Sequence, residues 1–143
     1  MFSLQGNSGY WGKGAGNGPW VMADLESGLW AGSNKTTPSN TPVTTEYVTA
    51  MVKGGSNGFA LKAGDATTGG LTTMYDGPRP PKYQPMKKQG AIILGIGGDN
   101  SNRAIGTFYE GVMTTGYSTD VSYGPAAHVV RSCNARLVST RSS

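Results

Sequence analysis

The sequence has little charge and few of the side chains that ligate zinc or form disulfides. Charged residues make up 14% of its 143 positions, against about 25% in typical soluble domains. It contains one cysteine, Cys133, and one histidine, His128. These counts exclude an internal disulfide scaffold and a zinc site built from three or four such ligands. We therefore predict no metal and no cofactor. A Cys–His catalytic pair has little support, because both residues lie in a tail without a strand pattern.

Long apolar runs and long helical patterns are also missing. No run approaches the roughly 18 apolar residues of a membrane-spanning helix. The first residues, Met1–Gln5, have neither a basic start nor an apolar core, so this sequence predicts no signal peptide. The 23 glycines and 8 prolines interrupt the chain throughout. A helical bundle or a coiled coil, which needs long charge-rich stretches of period 3.6, is therefore excluded.

The net charge of +4 comes mainly from the C-terminal end. Three of the 12 basic residues and none of the 8 acidic ones lie in residues 123–143. The rest of the chain is close to neutral, and no cluster of basic residues is interleaved with aromatic ones. A nucleic-acid partner is therefore not predicted, and a solvated basic end is the simpler interpretation.

Short apolar blocks separated by turn residues predict strands rather than helices. The block at 91–96 is continuously apolar, which is typical of a strand buried on both faces. Residues 77–86 contain four prolines and predict an extended connection, while 6–19 and 31–42 predict loops. The sequence therefore indicates an all-β fold, an antiparallel β-sandwich. Its predicted strands are 20–26, 47–53, 59–63, 71–75, 91–96 and 107–115.

Two carboxylates share one face of the first predicted strand. Because side chains alternate along a strand, Asp24 and Glu26 lie on the same side as Trp20 and Met22. Their Cα atoms are then about 6.6–7 Å apart. A carboxylate pair beside aromatic residues fits glycoside hydrolysis, in which one acid protonates the leaving oxygen and the other attacks or stabilises the anomeric carbon. The structural alternative is an edge strand with solvated carboxylates.

Two other acids are candidates for the same chemistry. Asp99 follows two glycines at the end of the apolar block, where the lack of side chains lets a ligand approach the backbone. The structural alternative for Asp99 is a turn in which it caps its own backbone. Glu110 lies in the last predicted strand. Spacing alone favours Asp24 and Glu26 as the pair.

Three stretches of the sequence resemble a known family. They are residues 16–26 (GNGPWVMADLE), 90–102 (GAIILGIGGDNSN) and 106–114 (GTFYEGVMT). They look like the catalytic domain of the α-L-arabinofuranosidase B family, glycoside hydrolase family 54. The resemblance covers roughly residues 6–117. It implies a jelly-roll or concanavalin-like sandwich and a secreted enzyme that hydrolyses terminal non-reducing α-L-arabinofuranosyl residues of arabinan or arabinoxylan.

The resemblance also implies roles for particular residues. Glu26 matches the nucleophile and Asp99 the general acid/base of a retaining mechanism, in place of the pair that spacing favours. Their carboxyl groups are then expected about 5–5.5 Å apart. Burial and the nearby Glu26 charge are expected to raise the pKa of Asp99, so that it holds its proton. Glu110 then has a structural role or supports the residues that contact the sugar. The sugar-binding matches are Trp11, Asp24, Ser27 and Gly98.

The sequence departs from the family pattern in several ways. The family has asparagine directly after the nucleophile, where this sequence has Ser27, whose hydroxyl reaches less far. The family's catalytic domain begins before Met1, with a vicinal disulfide against the sugar, and is followed by an arabinose-binding domain. The expected organisation is therefore an incomplete sandwich over 1–117 and a divergent, poorly ordered basic tail over 118–143.

An incomplete sandwich leaves open sheet edges and a half-covered core, so we expect weak activity or none. The expected partners are an arabinose-containing polysaccharide or oligosaccharide and the missing parts of the longer relative, with no membrane. The alternative function is a non-catalytic carbohydrate-binding or structural sandwich, with Trp11 and Trp20 as an apolar platform for sugar rings.

Overall fold

The computed structural model describes residues 2–5, 12–25, 29–82, 107–111, 113 and 115–117. Within these residues the chain forms eight strands and no helix, so none of them belongs to a helix that could cross a membrane. This confirms the all-β class. The strands are β1 (Phe2–Gln5), β2 (Lys13–Gly14), β3 (Trp20–Asp24), β4 (Leu29–Trp30), β5 (Thr36–Thr37), β6 (Val48–Gly54), β7 (Gly58–Asp65) and β8 (Thr72–Pro78).

The first sheet has the order β1-β3-β4 and is antiparallel throughout. Its central strand, β3, pairs Ala23 with Phe2 on one side and with Trp30 on the other. Residues 20–23 are fully buried, so both faces of β3 are covered. This buried strand carries Asp24 at its C-terminal end.

The second sheet is an antiparallel meander, β6-β7-β8. The turn between β6 and β7 is closed by the amide of Gly55, which donates to the Gly58 carbonyl over 3.0 Å. The pairing of β7 with β8 shifts register between Leu61 and Lys62, which marks a bulge. Both faces of this sheet are covered too, because Lys53 and Lys62 are only 3% and 4% exposed.

The two sheets share one hydrophobic core. Alternation places Val21 and Ala23 of β3 in the same cluster as residues from β6, β7 and β8. Burying one large apolar side chain contributes about 1.5–3 kcal/mol, so this shared cluster holds the sheets face to face. The antiparallel sandwich predicted from the sequence is therefore confirmed. The members from the second sheet are Val48, Ala50, Phe59, Leu61, Ala63 and Met74.

A short parallel pair, β2 with β5, lies beside the first sheet. The Trp20 indole donates to the Ala15 carbonyl over 2.6 Å, and its ring lies against Gly14. A Cβ at Gly14 would meet both the ring and the carbonyl of Asn40, so only glycine fits there. The loop predicted over 6–19 therefore contains a two-residue strand that packs on Trp20.

Several strand predictions are confirmed and one is wrong. Strands β6, β7 and β8 match the predictions over 47–53, 59–63 and 71–75, apart from a few end residues. The strand predicted over 20–26 ends at Asp24. The strand predicted over 107–115 is wrong for the residues described there, because 107–111, 113 and 115 have no strand pairing. Periodicity alone could not show that the described residues of this stretch are without strand pairing. The strand predicted over 91–96 lies outside the described residues.

Candidate active site

Asp24 stands at the C-terminal end of the central strand β3. It is half-buried and pairs in register with Leu29 of β4. Its side chain continues the face that carries Trp20 and Met22, while Val21 and Ala23 face the shared core. The predicted alternation is thus confirmed over the part of the strand that the structure describes.

The chain immediately after Trp11 lies beside this strand end. The amide of Gly12 donates to the Leu29 carbonyl over 3.2 Å, and Leu29 is the residue opposite Asp24. Directly opposed residues of an antiparallel pair have Cα atoms about 4.5–5.5 Å apart. The structure therefore brings Gly12, Asp24 and Leu29 together at one end of the first sheet.

The same strand end bounds the connection that carries two further candidates. Glu26 and Ser27 lie between Leu25, which packs against the shared core, and Leu29, which pairs with Asp24. The described neighbours of Trp11, Glu26 and Ser27 in the chain thus converge with Asp24.

The other predicted site residues are not among those described. Trp11, Glu26, Ser27, Gly98 and Asp99 all lie outside the described residues. The expected separation of about 5–5.5 Å between the Glu26 and Asp99 carboxyl groups therefore stays a prediction.

Glu110 is described and is exposed, on a stretch without strand pairing. The sequence placed it in a strand, and the structure does not. Among the described residues no group of three or more His, Cys, Asp or Glu side chains could hold a metal ion.

Sequence reasoning did not single out Trp30, which lies beside Gly12 at this end of the sheet, or Asn40, which lies against Val21 near the start of β3. Trp30 is half-buried, and its ring would lie 3.1 Å from a Cβ placed on Gly12. Asn40 is fully buried and donates through Nδ2 to the carbonyls of Val21 and Ala31, over 2.9 and 3.0 Å. The only signal for Asn40 was its place in a polar loop, which gave no reason to expect burial.

Within the described residues, the fold is a β-sandwich with an acidic residue at the end of its central strand. The model of the family described as "Alpha-L-arabinofuranosidase B, catalytic" matches residues 3–131. The chain belongs to this family of catalytic domains. The match runs past residue 117, and the boundary predicted there stays a prediction.

Relatives in this family share about half of their residues with the chain over a limited region. This chain is 54% identical over 120 residues to an α-L-arabinofuranosidase of Hypocrea jecorina. The aligned region covers 82% of this chain and 24% of the relative. The chain thus spans about a quarter of the length of the curated relatives it matches.

Solved structures agree with the fold. One is a mutant of a GH54 α-L-arabinofuranosidase soaked with 4-nitrophenyl α-L-arabinofuranoside, with a TM-score of 0.59 and 47% identity over 67% of this chain and 21% of that one. Another is an arabinofuranosidase complexed with arabinofuranosyl-α-1,2-xylobiose. It has a TM-score of 0.59 and 34% identity, and the match covers 94% of this chain and 22% of that one.

Proposed function

We propose that this chain carries the catalytic carboxylates of a secreted, retaining α-L-arabinofuranosidase. Its substrates are terminal non-reducing α-L-arabinofuranosyl residues of arabinan or arabinoxylan. The observation that carries the proposal is the family match over residues 3–131. The fold supports it, because Asp24 and the described neighbours of Trp11, Glu26 and Ser27 meet at one end of the first sheet.

In the proposed mechanism Glu26 is the nucleophile and Asp99 the general acid/base. The Glu26 carboxylate attacks the anomeric carbon while Asp99 gives its proton to the glycosidic oxygen, and the bond between that oxygen and the anomeric carbon breaks. Water then attacks the anomeric carbon of the arabinosyl ester, the bond between that carbon and the Glu26 oxygen breaks, and Asp99 takes up the proton of the water. Two inversions leave the anomeric configuration unchanged.

The remaining site residues hold the furanose ring in this proposal. Asp24 accepts hydrogen bonds from sugar hydroxyls, a role supported by its half-buried place at the end of β3 and by the acceptor capacity of a carboxylate. Trp11 supplies an apolar face for the C–H groups of the ring. Ser27 and Gly98 complete the contacts, with a hydroxyl and with a backbone that has no side chain in the way.

Hydrolysis of 4-nitrophenyl α-L-arabinofuranoside by the chain tests the proposal. We expect slow turnover and no cleavage of the β-anomer. Glu26→Ala and Asp99→Ala should each lower kcat by at least about 100-fold, given that acid–base catalysis alone contributes about 10²–10⁴-fold. Glu110→Ala is the control and should keep the activity of the unmodified chain.

Azide separates the two roles. With Asp99→Ala and a dinitrophenyl leaving group, azide should restore turnover and give the azide of retained configuration, whereas Glu26→Ala should give the inverted azide. Activity retained by either alanine variant would contradict the role assigned to that residue. Binding of arabinosyl oligosaccharides without hydrolysis, unchanged in Glu26→Gln, would instead support the non-catalytic alternative.

A further inference from the structure

The end of the loop between β4 and β5 carries a tripeptide of the kind that accepts N-linked sugars. Asn34, Lys35 and Thr36 match the pattern Asn-X-Ser/Thr, in which X is any residue except proline. No other asparagine in the sequence has a serine or a threonine two positions later. Because such tripeptides also occur by chance, accessibility in the fold decides whether this one can carry a sugar.

The fold leaves this tripeptide on the surface, since all three of its residues are exposed. Asn40, shortly after β5, shows the opposite arrangement. It is fully buried, and its Nδ2 donates to the carbonyls of Val21 and Ala31. An N-linked oligosaccharide is bulky and belongs on a surface loop. Of these two asparagines, only Asn34 has room for one.

The backbone of the tripeptide is held against the start of β2. The Lys13 amide donates to the Lys35 carbonyl over 2.9 Å, and Lys13 pairs with Thr36 in the parallel sheet of β2 and β5. The Asn34 carbonyl would lie 2.9 Å from a Cβ placed on Gly12. The tripeptide therefore has a defined place in the fold, beside Gly12 and Lys13, while its residues stay open to solvent.

We propose that Asn34 carries an N-linked oligosaccharide, which covers the surface around Lys13 and Lys35. The modification takes place in the secretory pathway, so this inference rests on the proposed function of a secreted enzyme. The tripeptide meets both requirements on the page, because it has the acceptor pattern and a folded position that accommodates a large group.

The transfer uses an oligosaccharide held on a polyprenyl pyrophosphate, the donor class of the secretory pathway. Asn34 Nδ2 forms a bond to the anomeric carbon of the first sugar, and the bond from that carbon to the pyrophosphate oxygen breaks. The amide nitrogen loses one proton, and the lipid pyrophosphate leaves with the electron pair of the broken bond. The Thr36 hydroxyl is the second part of the acceptor pattern, which the transferase requires.

The position of Asn34 gives the oligosaccharide a protective role. Lys13 and Lys35 are both exposed, and exposed segments are preferred sites of proteolytic cleavage. These lysines are distant in sequence, but the β2–β5 pairing places Lys13 directly opposite Thr36. One oligosaccharide on Asn34 therefore shields both lysines from extracellular proteases.

Mass spectrometry of the full chain, directed into the secretory pathway of a yeast by a fused leader peptide, tests the modification. The peptide that contains Asn34 should carry an oligosaccharide, and peptide N-glycosidase in heavy-oxygen water should convert Asn34 to labelled aspartate. Thr36→Ala, which keeps the asparagine, and Asn34→Gln should each lose the sugar completely. Asn57→Gln, at an exposed asparagine outside any such tripeptide, is the control and should keep it. Unmodified Asn34 in chains whose leader has been removed, recovered from cells or from the medium, would overturn the proposal.

Limited digestion with trypsin tests where the oligosaccharide lies. Cleavage after Lys13 should become severalfold faster when an endoglycosidase trims the oligosaccharide to its first sugar. Cleavage after Lys82, which is exposed and follows β8, is the internal reference and should keep its rate. Equal rates after Lys13 before and after trimming would overturn the protective role. Neither measurement involves hydrolysis of an arabinofuranoside, so a chain without that activity would refute the proposed function and leave both of these results decisive.

Discussion

At the scale of single residues, the most consequential side chain outside the site is Asn40. It is fully buried and joins β3 to the residue after β4, because Nδ2 donates to both Val21 and Ala31. Its backbone adds a link to the loop, where the Ala15 amide donates to the Asn40 carbonyl over 2.8 Å. One residue thus ties together three segments around Trp20.

Asn40→Ala should destabilise the fold more than a surface substitution does. The change leaves the carbonyls of Val21 and Ala31 without this donor, and an unsatisfied buried polar group costs about 1–3 kcal/mol. Denaturant unfolding followed by tryptophan fluorescence measures the loss. Asn34→Ala is the matched control, because Asn34 is exposed. Equal midpoints for the two variants would show that the Asn40 amide contributes nothing.

Part of the candidate site could be predicted from the residues themselves. Alternation alone put Asp24 on the face of Trp20 and Met22, and the structure agrees. The roles of Glu26 and Asp99 could not be obtained that way, because spacing favoured two neighbours on one strand. Asp99 comes from a different part of the chain, and only the resemblance joined it to Glu26. Asn40 was unpredictable because burial of a polar loop residue depends on the segments folded around it.

At the scale of secondary-structure elements, β6, β7 and β8 were predictable because each is long and ends at glycines or at a turn. Strands β2, β4 and β5 have two residues each, too few for any period to be read. The stretch after Gly106 has the composition of a strand, yet residues 107–111 have no strand pairing. A strand needs a partner, and the sequence of one stretch does not specify its neighbour.

The turn between β7 and β8 depends on one carboxylate. Asp65 Oδ1 accepts from the Thr67 hydroxyl over 2.7 Å and from the Thr67 amide over 2.8 Å. The hydroxyl, and then the amide, lower the pKa of Asp65 below its ordinary value of 3.8. Since the folded pKa is the lower one, this contribution is fully present above about pH 4 and is lost as the pH falls through the folded value.

We therefore expect the Thr67 amide to exchange faster on acidification below pH 4, after correction for the intrinsic pH dependence of exchange. NMR of the amide signals measures this, with β6 amides as the internal reference. Asp65→Asn, which keeps an acceptor oxygen but does not titrate in this range, should remove the pH dependence and keep most of the turn. A pH dependence that survives in Asp65→Asn would assign the effect to another group.

At the scale of the whole molecule, the shared core determines whether the two sheets unfold together. Val21 and Ala23 come from the first sheet, and Leu61 lies at the centre of the second, all fully buried in one cluster. The chain's tryptophans all lie in the N-terminal 30 residues, and Trp20 and Trp30 belong to the first sheet. Tyr75 packs against Phe59 in the second, with ring centres 5.0 Å apart. Within the strands that the structure describes, tryptophan is thus found only in the first sheet and tyrosine only in the second.

Leu61→Ala should lower the stability of both sheets by the same amount, although Leu61 belongs only to the second. Removing a large side chain from a packed core lowers the free energy of unfolding by about 2–5 kcal/mol. Because both sheets pack on one core, we expect them to unfold together and to lose the same stability. In urea, tryptophan fluorescence and tyrosine near-ultraviolet circular dichroism should shift to the same lower midpoint. Leu71→Ala, at a half-buried position outside the strands, is the control. If the tryptophan midpoint stayed at its original value while the tyrosine signal shifted, the sheets would be independent units and the shared core would not be what joins them.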